Sequence, residues 1–152
     1  MERNLNGIKV LIIMKFNALI PELRASDFKR SLKFYTKILG FKVEYERRES
    51  QFAFLSFQGA QIMIEQNTKE WNAGKLNYPY GRGINLQIAV KKIFPLLNSL
   101  RKNKYKIYVE PFEKWYRVKN KLNGIRQFLV QDPDGYLLRF TEELEIKKMP
   151  KK

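Results

Sequence analysis

Cysteine and histidine are both absent from this 152-residue chain. Without cysteine there are no disulfides, no thiol nucleophile and no zinc-thiolate site. Without histidine the chain lacks the commonest metal ligand and the usual general base at neutral pH. Catalysis would therefore rest on carboxylates, Lys or Tyr, and a metal site on oxygen ligands, which weighs against an enzyme. Long apolar runs are lacking too. Val10-Leu-Ile-Ile-Met14 is too short for a signal segment or a membrane span, so the expected location is the cytoplasm.

Acidic residues are scarce relative to basic ones: 30 Lys and Arg against 15 Asp and Glu give a net charge of +15. A field of that sign draws phosphates, nucleic acid or anionic small molecules. The basic residues are scattered and form no long block, however, which fits a solvated surface better than a nucleic-acid site. The apolar fraction of 44% and aromatic fraction of 14% fit an ordinary folded core.

The pattern divides the chain into an N-terminal extension (1–13), a first module (14–67), a linker (68–82), a second module (83–146) and a basic tail (147–152), expected to be frayed. Residues 1–13 are either an extra strand or lie upstream of a natural start at Met14. In the first module Phe16 to Arg24 reads as an edge or bulged strand, with Pro21 inside it. Ser26 or Asp27 caps a helix whose stripe is Phe28, Leu32, Tyr35 and Leu39, and Gly40 stops it. Strands follow at Phe41–Glu46, Phe52–Phe57 and Gln61–Gln66.

The second module repeats the order. Gly83–Val90 alternates as a strand, and Ile93, Leu96, Leu97 and Leu100 mark a helix with Pro95 in its first turn. Strands are expected at Tyr105–Val109, Ile125–Val130 and Leu137–Thr141. Phe112 to Asn123 is read as a long loop carrying Trp115 and Tyr116. Asp132-Pro-Asp-Gly135 is a turn, since Pro presets φ, Asp closes an Asx-turn and Gly accepts positive φ. The fold class is α+β: two tandem βαβββ modules forming a curved mixed sheet around a cleft.

Leu23-Arg-Ala-Ser-Asp27, Ser31-Leu-Lys-Phe-Tyr35, Leu39-Gly-Phe41, Ile62-Met-Ile-Glu65 and Asp132-Pro-Asp-Gly-Tyr-Leu-Leu-Arg-Phe140 carry a family resemblance. Together with the internal repeat they resemble the vicinal oxygen chelate superfamily. It groups glyoxalase I, extradiol dioxygenases, fosfomycin-resistance and bleomycin-resistance proteins. Its enzymes hold a divalent metal through four strand positions, which fall here on Ile20, Met63, Asn85 and Arg139. Ile and Met do not ligate a hard cation, and Arg places a positive charge where the metal would sit. The resemblance is therefore closest to the metal-free bleomycin-resistance type. It implies a homodimer with no cofactor and no catalytic residue, sequestering a small molecule in a cleft walled by both chains. A glycopeptide-type antibiotic is one candidate ligand, although the charge of +15 opposes a cationic drug. The family's drug-stacking Trp aligns near Asn123, so Trp115 would have to substitute.

If the former metal positions face the cleft, period two places Glu22, Gln61, Glu65, Gln87, Ala89, Leu137 and Thr141 beside them. Leu23, Ile62, Ile64, Leu86, Ile88, Val90, Leu138 and Phe140 then face the helices, with Leu19 and Pro21. The candidate ligand-binding set is Glu22, Phe54, Met63, Glu65, Asn85, Gln87, Trp115, Tyr116 and Arg139. A simpler reading has Arg139 merely neutralising Glu22 or Glu65, and the Phe52–Phe54–Phe57 strand serving as core. Two alternatives stay open: a lyase or isomerase of the same superfamily, and a polyanion or nucleic-acid binder.

Overall fold

The computed structural model describes residues 2–5, 8–11 and 14–148. Two short strands, β1 (Glu2–Leu5) and β2 (Ile8–Leu11), pair antiparallel with each other and join neither main sheet. The apolar pair Ile12–Ile13 and the tail residues Lys151–Lys152 lie outside the described residues.

The first module comprises β3 (Glu22–Ala25), α1 (Phe28–Lys33), β4 (Lys42–Arg47), β5 (Phe52–Phe57) and β6 (Ala60–Gln66). The second comprises β7 (Asn85–Ala89), α2 (Phe94–Lys102), β8 (Val109–Val118), β9 (Lys121–Gln131) and β10 (Leu137–Lys148). Each module folds one four-stranded mixed sheet, ordered β3-β6-β5-β4 and β7-β10-β9-β8. In both, the first strand lies parallel to the last, which is the α+β repeat expected from the sequence.

Asp27 caps α1, its carboxylate accepting from the Arg30 amide at 3.0 Å. The helix then widens into a π-helical turn over Phe34–Ile38, and Gly40 ends it at φ +80°. At α2, buried Glu142 accepts from the Ile93 amide at 3.0 Å and pairs with Lys92 at 2.8 Å. A carboxylate is well placed beside the free amides of a helix start.

Four sequence expectations change. Phe16–Arg24 is not one strand: pairing begins only at the Pro21 carbonyl, which accepts from the Met63 amide at 2.8 Å. Proline has no N–H to donate, so the ladder starts after it. Tyr105–Tyr108 is irregular, and the second strand of this module begins at Val109. The supposed loop Phe112–Asn123 is a hairpin, with β8 and β9 joined by the two-residue turn Lys119–Asn120 and Lys119 at φ +55°. Pro111 falls in the bulge between Val109 and Phe112, the kind of place a strand tolerates proline. Lys147 and Lys148 pair with Leu122 and Lys121 and so extend β10 rather than fraying.

One apolar core serves both modules. Leu23, Ile62 and Ile64 from the first sheet and Ile88, Phe128, Val130, Leu138 and Phe140 from the second close on Phe34, Tyr35, Leu39, Leu97 and Leu100 of the helical segments. The strand-parity split therefore holds for Leu23, Ile62, Ile64, Leu86, Ile88, Val90, Leu138 and Phe140; Leu19 is exposed and Pro21 lies outside this core. The Asp132–Gly135 turn ties the halves together. Asp134 accepts from the Ser26 amide at 3.1 Å and from the Ser26 and Ser31 hydroxyls. Arg30 pairs with the same carboxylate at 3.1 Å. Asp132 accepts from Tyr35 Oη at 3.0 Å and from the Asp134 and Tyr136 amides at 2.9 Å each. Gly135 sits at φ +91°, and a Cβ there would come 2.5 Å from Pro79 Cβ, so only glycine fits.

Candidate functional site

Each sheet turns its other face away from the shared core, and these two faces carry most of the candidate residues. On the first sheet Glu22 lies opposite Met63, and Arg24 opposite Glu65, in the parallel β3–β6 pair. Phe54 and Phe52 stand across β5 from Met63 and Glu65. Tyr45 stacks on Phe54 with ring centroids 5.3 Å apart, and the Arg47 guanidinium sits 3.7 Å over the Phe52 ring. Such contacts hold flat rings in fixed orientations.

Arg24 organises the charge here. Its guanidinium bonds Glu65 and lies 3.3 Å from Glu22 Oε1, and the residue is buried. Burial raises the Glu22 carboxyl above its ordinary range; Arg24 opposes this, while a hydrogen bond and repulsion from Glu65 reinforce it. Glu22 and Glu65 thus form a close carboxylate pair clamped by one cation. Period two from Glu22 leads directly to Arg24, so strand parity alone is enough to place it on this face.

A strap crosses this face. The Asn17 amide donates to Gln61 Oε1 at 2.7 Å, Asn17 Nδ2 to the Gly59 carbonyl at 2.9 Å, and Gln61 Nε2 to the Lys15 carbonyl at 2.8 Å. The Phe16 ring meets Phe54 edge-on at 5.3 Å. Phe52 and Phe54 are consequently only 2% and 1% exposed, although they point away from the main core.

On the second sheet Asn85, Gln87 and Arg139 share a face with Gln127 and Tyr116. Asn85 and Gln87 are exposed, and Arg139 donates one terminal nitrogen to Gln87 Oε1. Arg139 Nε is buried and has no acceptor among the described residues. Tyr116 Oη accepts from Gln127 Nε2 at 3.4 Å. Trp115 projects from the opposite face of β8, stacked over Gly124, with Lys147 Nζ 3.8 Å above its ring. Trp115 and Tyr116 therefore do not line one surface.

The expected neutralisation of Glu22 or Glu65 by Arg139 does not occur within the chain. Arg24 fills that role, and Arg139 belongs to the other sheet, beyond the shared core. Met63 and Ile20 sit with the first sheet, Asn85 and Arg139 with the second. Two apolar side chains, one amide and one guanidinium do not suit a divalent cation, and Arg139 adds a charge that repels one. Among the described residues no group of three or more Asp or Glu could hold a metal, and no helix is long and apolar enough to cross a membrane.

Comparison with known proteins agrees with this architecture. The chain is 26% identical over 125 residues to a probable lactoylglutathione lyase of Synechocystis, covering 79% of this chain and 90% of that protein. It is 28% identical over 130 residues to the lactoylglutathione lyase of Haemophilus influenzae, covering 82% and 91%. TioX from Micromonospora sp. ML1 shares the fold at a TM-score of 0.64 and 19% identity, over 84% of this chain and all of that one. The family model for the Glyoxalase/Bleomycin resistance protein/Dioxygenase superfamily matches residues 15–140. With the paired mixed sheets and the repeated strand-helix order, this makes the chain a member of that superfamily.

Proposed function

We propose that the protein is a metal-free small-molecule-binding member of the superfamily. It works as a homodimer in which the Glu22–Arg24–Glu65 face of one protomer and the Arg139 face of its partner wall a common cleft. The observation that carries the reading is Arg139: a guanidinium with a buried, unmatched N–H on a sheet face turned away from the core. A buried donor without an acceptor costs about 1–3 kcal/mol. A ligand or partner acceptor at that place recovers it. Exposed Phe16 and half-buried Tyr45, seated on the buried Phe52 and Phe54 rings, supply the apolar wall that small-molecule sites ordinarily have.

The ligand class is one with both acceptor groups and flat apolar surface; a glycopeptide-type antibiotic meets that description. The decisive experiment combines metal analysis of the purified protein, its mass in solution, and a bleomycin titration followed by fluorescence of a Trp71→Phe variant. Trp71 is 91% exposed, so its removal leaves Trp115 as the sole indole. Dimeric mass, no stoichiometric Mn, Fe, Ni or Zn, and saturable binding lost in Arg139→Ala are the expected results. A bound metal at one per chain sinks the reading, and absence of any response to bleomycin removes that drug.

The lyase reading draws support from the names of the two curated relatives and from Glu22, whose carboxyl burial raises toward the range of a proton-transfer group. It predicts lactoylglutathione turnover that Glu22→Gln abolishes.

A further inference from the structure

A second recess, away from both sheet faces, has a donor set of its own. It encloses about 330 Å³ and is lined by Tyr78, Lys104, Tyr105, Lys106, Tyr108, Gln131, Asp132 and Pro133. That volume is near the lower end of the range of about 300–1,000 Å³ for small-molecule sites. Tyr78 and Tyr108 stand at its rim, 63% and 54% exposed, while Tyr105 is half-buried and leans on Phe34 with centroids 4.6 Å apart.

Its polar chemistry is one-sided. None of the three phenol hydroxyls is held in a hydrogen bond among the described residues. Nearby Arg101 is neutralised by Glu110 at 2.9 Å, whereas Lys104 and Lys106 have no carboxylate partner among the described residues. Asp132 is the one acid in the lining, and both its oxygens are occupied by Tyr35 and the turn amides. The recess therefore offers donors and positive charge with little competing acceptor.

Two of the tyrosines are anchored through their backbone. The Tyr105 amide donates to the Leu100 carbonyl at 2.8 Å and the Tyr108 amide to Leu129 at 2.9 Å. Lys104 stands at φ +54°, a region where a lysine is strained and glycine is not. The helix end thus carries a charged side chain where the backbone would favour none.

We propose that this recess binds a small anion built on one flat ring, an aryl phosphate or aryl carboxylate. Its ring lies against Tyr78, Tyr105 and Tyr108, and its oxyanion is held by Lys104 and Lys106. Rigid phenols supply flat contact at low entropic cost, and two ammonium groups supply the charge.

The test is an amide-resolved NMR titration with phenyl phosphate, inorganic phosphate and phenol. Phenyl phosphate is expected to saturate and to shift residues 104–108 and 131–133. Inorganic phosphate and phenol should each bind at least tenfold more weakly. The surface variants Lys104→Gln/Lys106→Gln and Tyr78→Ala/Tyr108→Ala should each weaken phenyl phosphate about tenfold or more, and Arg139→Ala should not. Inorganic phosphate binding as tightly as the ester, undiminished binding in either double variant, or shifts centred on Arg139 would each overturn the assignment.

Discussion

Asp132→Asn should remove a pH dependence that the wild-type protein carries in its central turn. Burial pushes the Asp132 carboxyl from its ordinary 3.8 up to about 6, against the hydrogen bonds from Tyr35, Tyr136 and Asp134 that favour the anion. The folded state therefore holds a proton between those two values that the unfolded chain has released. Stability from this group is fully present below about 4, declines as pH rises through 4 to 6, and is lost above 6. The gap from 3.8 to about 6 corresponds to roughly 3 kcal/mol, at about 1.4 kcal/mol per tenfold change. Asparagine keeps an oxygen for the two amides and presents an NH₂ group to Tyr35 Oη, so it imitates the protonated acid without titrating. Urea midpoints of both proteins from pH 4 to 8 should diverge in favour of the variant by about 3 kcal/mol across that window. A difference that stays constant with pH, or that grows in favour of the wild type, refutes the reasoning.

Arg24→Ala leaves Glu22 and Glu65 facing each other without their cation and should cost about 3 kcal/mol at pH 7. Urea unfolding should show that loss shrinking toward pH 4, and Glu22→Gln should recover much of it. Gly124→Ala places a Cβ 2.7 Å from two atoms of the Trp115 ring. It should cost about 1–3 kcal/mol as overpacking and red-shift the Trp115 emission in a Trp71→Phe background.

Most of the fold is legible where periodicity and turn chemistry agree. Phe52–Phe57 occupies the span its composition indicates, and Asp27, Gly40 and the Asp132–Gly135 turn do what their side chains dictate. The β8–β9 hairpin is harder to see because its strands carry Glu113, Lys114, Arg117, Lys121 and Arg126 with little apolar alternation. No β8 residue is buried, so no core demands a pattern there. The π-helical turn leaves no local sign either. It contains Tyr35, whose hydroxyl reaches Asp132 in a contact spanning the two modules. For the site, strand parity sorted the faces, including Glu22 with Glu65 and Gln87 with Arg139. It could not reveal that the faces diverge across a common core. It also gave no hint of the Phe16 strap, since Gln61 and Asn17 make a tertiary contact of ordinary surface residues.

The single core between two outward faces has a genetic consequence for the proposed dimer. Each cleft then draws one wall from each protomer, so a lesion in the Glu22–Glu65 face and a lesion in the Arg139 face spoil different walls. When two chains carrying one lesion each assemble together, one cleft collects both defects and the other collects none. Two inactive alleles expressed in the same cell would then complement each other.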